Sequence, residues 1–258
     1  MSIIGTDKWL MNLYDQPLKL AHKLKPFFEE GTTSEDIYQH LMMNGMYRPV
    51  RSGIGTVEKM KEKGVWDMVK TEQFRLKKSW NGPDIPILIF PSDRTNRQLV
   101  KELNGKSGLA FKDKLFLFIS DQNDENEIKA LLTHEYNHVC RLTKYNKSEF
   151  DYSLLDSIIL EGLAENAVRE RFGKQYLAPY ESYYTEKQLE QMWDTLINPN
   201  QEIKKHEHKH SQLLYGLGPY PRMVGYCVGY YLVKRKLENS KKKTIELLGV
   251  PSEKIINS

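Results

Sequence analysis

Cysteine is scarce in this chain. Two residues, Cys140 and Cys227, occur in 258. At most one disulfide can form, which excludes a disulfide-stapled secreted scaffold and fits a reducing compartment. Long apolar runs are also missing. The longest, "IPILIF" and "LFLFIS", fall well short of the roughly 20 residues a membrane-spanning helix needs. Charge of one sign is never concentrated. The net charge is +4, and the densest basic run, Lys241 to Lys243, reads as solvated surface because no nucleic-acid motif accompanies it. There is no internal repeat, which excludes solenoids and propellers. The opening "MSIIGTDKWLMNLYDQ" lacks the basic and apolar regions of a secretory signal, so the expected location is the cytoplasm.

What remains is ordinary for a globular protein: 40% apolar and 28% charged residues, with both signs interspersed. The length suits one large domain or two lobes. Residues 6 to about 80 read as helical, with breaks at "EEGTTSED" and "NGMYRPVRSGIG" and N-cap chemistry at Thr33 and Ser34. After "NGPD" the pattern predicts a short buried strand over 85–90. A charged helical segment follows over 93–104. A β-hairpin is expected over 107–120, with its turn near Lys112 and Asp113 and a second strand buried on both faces. Helices are expected over 125–143, 151–172, 186–197, 202–214 and 221–239. The fold class is therefore α+β, mostly helical with a small mixed sheet packed on a central helix. The expected division is a helical segment over 1–80 and a main domain over 81–258. That domain comprises a sheet (85–120), two site-bearing helices (125–172) and a C-terminal helical part (186–258).

The chemistry lies in "LLTHEYNHVC". His134 and His138 are four residues apart, so a helix places both imidazoles on one face. Two such rings can hold one Zn2+. Glu135 is offset by about 100° round the helix, which keeps it off the metal and beside the position a water would take. This is the His-Glu-x-x-His pattern of metallopeptidases. Ile128, Leu131, Leu132, Val139 and Leu142 form an apolar stripe next to it.

A catalytic zinc needs a third protein ligand and an open position. Arg141 and Lys144 stand where the metzincin pattern would place glycine and histidine, which excludes that class. A carboxylate from a following helix is the other solution, and "LEGLAEN" offers Glu161, with Glu165 one turn further as a supporting acceptor for a ligand imidazole. Asp156 competes for the ligand position but has no acidic partner one turn on. Gly162 and Ala164 are small enough to let two helices approach closely.

"HEYNH" followed by "EGLAE" resembles the gluzincin arrangement of zinc metallopeptidases. More narrowly, "LLTHEYNHVCRL", "ILEGLAEN" and "GYCVGYYLV" resemble a bacterial family of predicted Zn-dependent proteases, the YjaZ-like proteins. The resemblance covers roughly residues 85 to 250. It implies a zincin-like, thermolysin-like core and carries His134, His138 and Glu161 over as ligands and Glu135 as general base. It says little about residues 1 to 80.

The activity expected is hydrolysis of a peptide or protein substrate, of the metalloendopeptidase type, with one Zn2+ per chain and neither nucleic acid nor a membrane span involved. A further donor for the developing oxyanion is sought in two places, Tyr226 in "GYCVGYYLV" and the run His206, His208 and His210. Gly225 and Gly229 would form a close-packing face on that same helix. Arg141, one turn beyond His138, is placed near the ligands, in an ion pair with Glu165 or another carboxylate, or on substrate. Two rivals stand beside this reading. One is a zinc-binding regulatory protein without turnover. The other is a di-metal carboxylate oxidoreductase built on Glu135-x-x-His138 and Glu207-x-x-His210.

Overall fold

The computed structural model describes residues 3–145 and 147–256, with the side chains of Gln98 and Glu102 left aside. The chain divides into two compact units, Met1–Val139 and Cys140–Ser258.

The first unit opens with α1 (Thr6–Leu13), α2 (Pro17–Leu24), α3 (Ser34–Met43), α4 (Ile54–Glu62) and α5 (Val65–Trp80). The N-cap chemistry expected near Thr33 is present: Thr33 and Asp36 form a reciprocal capping box at α3. Then come β1 (Ile87–Pro91), α6 (Arg97–Leu103), β2 (Ser107–Ala110) and β3 (Leu115–Ile119). The sheet order is β1-β3-β2. β1 runs parallel to β3, and β2 pairs antiparallel with β3 as a hairpin. The sheet is therefore mixed, as expected, with β2 on an edge. β1 and β3 are buried at every position, which explains their unbroken apolar runs in place of a period-two alternation. Phe90, Phe116 and Phe118 join Leu10, Leu20, Leu41 and Tyr47 in one core. Each large apolar side chain so buried contributes about 1.5–3 kcal/mol.

α7 (Glu125–Lys144) follows the sheet. Asp124 and Glu127 cap its start reciprocally, each carboxylate accepting from the other's backbone N–H at 2.8 Å. Ile128, Leu131, Leu132, Val139 and Leu142 are all buried, so the apolar stripe is the packed face.

The second unit contains α8 (Leu154–Phe172), α9 (Glu186–Met192), α10 (His208–Tyr215), α11 (Val224–Ser240), α12 (Thr244–Leu247) and α13 (Ser252–Ile256). Four expected helices shift in this unit, the one expected over 221–239 running from Val224 to Ser240. α8 begins at Leu154 because Ser153 and Asp156 form a capping box there. The helix expected over 202–214 starts at His208. The one expected over 186–197 leaves α geometry at Trp193 and continues as a π turn to Ile197.

Candidate metal centre

On α7, His134 is half-buried and His138 is 7% exposed. Their rings sit edge to face with centroids 4.7 Å apart. Glu135 is 7% exposed and lies against the edge strand β2. A Cβ built on Gly108 would stand 2.6 Å from Glu135 Oε1 and closer still to its Cγ and Cδ. Only a residue without a side chain leaves that space for the carboxylate. Tyr136 anchors the helix in the first unit. Its hydroxyl donates to Pro83 O at 2.7 Å and its ring stacks on Trp80.

Glu161 is half-buried on α8. One Nδ1 or Nε2 atom from each of His134 and His138 and a carboxylate oxygen of Glu161 lie within 4.8 Å of one another. Glu165, one turn on, is 3% exposed and accepts from the Ala178 backbone N–H at 2.6 Å. α8 is held in place by α11 through glycines. A Cβ on Gly162 would meet the Gly229 carbonyl carbon at 2.5 Å, and one on Gly229 would meet the Ile158 carbonyl carbon at 2.8 Å. Asn166 adds a clasp, donating from Nδ2 to Tyr230 O at 3.0 Å. Gly225 lies against Leu214 of α10 instead. The two glycines expected to form one face thus serve two different neighbours.

Other residues singled out in the sequence have different tasks. Asp156, the competing ligand, is occupied: it caps α8, pairs with Lys147 at 2.5 Å and accepts from Ser252 Oγ at 2.7 Å. Burial alone would raise its pKa, but hydrogen bonds from Lys147, Ser252 and the Ser153 N–H outweigh that and hold it below the usual value. Arg141 is 1% exposed. Its guanidinium donates to the carbonyls of Leu247, Leu248 and Val250 and to Ser252 Oγ, at 2.6–3.2 Å. The structure thus places it on the C-terminal turn. The histidine run disperses. His206 is exposed and stacks on Phe150, His208 is exposed, and His210 is buried with Nε2 2.9 Å from Ser157 Oγ. Glu207 caps Lys204 N–H at 2.8 Å, so Glu207 and His210 have separate partners.

Tyr226 is half-buried on α11, between Tyr180 (ring centroids 5.2 Å apart) and Tyr215 (5.7 Å). The pKa of Tyr215 is raised by burial and by the nearby Glu161 charge, while a hydrogen bond with Tyr226 works in the opposite sense. Tyr180 and Tyr215 were not foreseen, because neither belongs to a motif. Gly108 carried a faint signal, as a glycine inside a strand pattern.

Two imidazoles and a carboxylate, drawn from "HEYNH" and "EGLAE", are a donor set that could hold a metal ion. Among the described residues no other group of three such donors is assembled. The chain belongs to the family described as "Predicted Zn-dependent protease (DUF2268)", whose model matches residues 65–257. It is 43% identical over 260 residues to "Uncharacterized protein YjaZ" of Bacillus subtilis (strain 168), covering 100% of this chain and 99% of that protein. It is also 26% identical over 173 residues to "Uncharacterized protein YjfC" of the same strain, covering 63% of this chain and 56% of that one. No solved structure matches.

Proposed function

We propose that the chain is a zinc-dependent peptide-bond hydrolase with a zincin-like core, acting as an endopeptidase with one Zn2+ per chain. The observation that carries this reading is the convergence of ligand atoms from His134, His138 and Glu161 to within 4.8 Å. The donor set fits zinc, since two neutral imidazoles and one carboxylate are a known three-ligand set for a catalytic ion. When bound, zinc supplies Lewis acidity and lowers the pKa of a coordinated water from 15.7 toward about 7.

The chain's own residues do the rest. Glu135, set against β2, takes the proton of the attacking water and returns it to the leaving amine. Tyr226 donates to the developing oxyanion. Glu165 and Arg141 act behind the ligands, Glu165 by holding α8 to the 178 turn and Arg141 by holding α7 to the C-terminal turn. Strand β2 and the following residue, 107–111, offer an edge along which an extended peptide aligns by main-chain hydrogen bonds. Residues 81–258 carry the reaction, and the helices of 1–80 serve it. The substrate is a peptide or protein met in the cytoplasm. No helix among the described residues is long and apolar enough to cross a membrane.

The test is a peptide-library digest with zinc-loaded wild type beside Glu135→Gln. Cleavage is expected to fall by about 10²–10⁴-fold with zinc content unchanged, the usual worth of a general base. Equal cleavage by both would overturn the mechanism.

A further inference from the structure

We propose that Tyr180 is a positioning residue for the metal site: its buried hydroxyl is held ready for the Glu161 carboxylate and grips it when that carboxylate takes up zinc. This inference rests on the zinc reading above.

Tyr180 lies in a short 3-10 turn, Pro179–Ser182, clamped from two sides. Two residues earlier, the Ala178 N–H donates to Glu165 on α8. On the other side, the Tyr180 carbonyl accepts from the Cys227 thiol at 3.1 Å, and its ring packs edge-on against Tyr226 of α11. The turn is thereby fixed beside the α8 face that carries Glu161 and Glu165, one helical turn apart.

The side chain is 5% exposed, and its hydroxyl meets no hydrogen-bond partner among the described residues. Buried hydroxyls are nearly always paired, so one that is not calls for a functional explanation. Both Glu165 and Glu161 lie near enough for their charges to act on the phenol. An ordinary phenol titrates at about 10, so at neutral pH this hydroxyl keeps its proton and is able to donate. A carboxylate that spends one oxygen on a metal keeps acceptor capacity on the other, and fixing that oxygen orients the ligand.

The experiment compares wild type with Tyr180→Phe in the full chain, which keeps the ring and removes only the hydroxyl. Zinc dissociation constants are measured by chelator competition, melting midpoints with and without zinc, and absorption spectra after Co2+ loading. The expected result has three parts. Metal-free Tyr180→Phe melts at or above the wild-type midpoint. Its zinc affinity falls by about 10–100-fold, as for other groups that support metal ligands. The Co2+ ligand-field bands shift, which a purely packing role would not cause. Zinc affinity within twofold of wild type with an unchanged cobalt spectrum would overturn the proposal. So would a fall in metal-free stability matching the whole loss in affinity. If wild type itself takes up no zinc, the zinc reading fails first and this inference falls with it.

Discussion

Gly108 and Glu135 touch where a side chain would otherwise stand: a Cβ at position 108 would overlap Cγ and Cδ of the glutamate. The edge strand β2 and helix α7 are thus fitted at one point, and that point is the proposed general base. Replacing Gly108 by alanine must push the carboxylate aside. Misplacing a catalytic group by about 1 Å costs on the order of 10²-fold in rate. Gly108→Ala is therefore expected to lose about that much peptidase activity while keeping its zinc. Turnover measured beside metal analysis checks it, and loss of metal would show that the glycine serves the ligands instead.

The Gly162–Gly229 contact makes a second prediction. Neither backbone can retreat without separating α8 from α11. Overpacking of this kind costs about 1–3 kcal/mol, so Gly229→Ala should unfold at lower urea. Because α8 carries Glu161, zinc affinity should fall in the same variant. Wild-type affinity in a destabilised protein would separate the two effects.

Arg141 gathers three carbonyls and a hydroxyl of the C-terminal turn, all within hydrogen-bond distance. Arg141→Met leaves those acceptors without their donor. The expected loss is about 3 kcal/mol, since a buried acceptor left without its donor costs about 1–3 kcal/mol and several are left here. Urea unfolding measures it. A change below 1 kcal/mol would mean the turn finds other donors.

His210 should make stability sensitive to pH. Burial first, and then Lys205, lower its pKa from 6.5, against opposing pulls from the Ser153 backbone and Glu207. Between the folded value and about 6.5 the unfolded chain binds more protons, so stability rises with pH across that window. Acidifying from about 7.5 to below about 6.5 should weaken the wild type, and His210→Gln should show a smaller drop. Urea midpoints against pH decide it, and parallel curves would exclude His210 as the source.

Zinc itself should stabilise the fold. One ion per chain, at a free concentration about 100 times its dissociation constant, adds roughly 2.7 kcal/mol. Chelation should lower the melting midpoint, and zinc should restore it. A midpoint indifferent to chelator would argue against a tightly held ion.

Much of the candidate site is legible in the sequence. His134, Glu135 and His138 follow from a spacing that one helix turns into geometry, and the buried strands follow from "IPILIF" and "LFLFIS". Local periodicity decides these features. Asp156 and Arg141 were harder to place. Asp156 meets Ser252, 96 positions away, and Arg141 meets Val250, 109 positions away, and no local pattern records such partners. The start of α8 moved to Leu154 because a Ser153–Asp156 capping box, readable only in retrospect, outweighed the helical pattern before it. Tyr180 and Gly108 show the same limit. A lone tyrosine or glycine has no signature in sequence, and each gains its meaning from the group folded against it. The sequence alone determined which side chains could bind a metal and which elements would carry them. The tertiary structure decided which of them meet, because contact between distant residues depends on long-range packing that no short window of sequence contains.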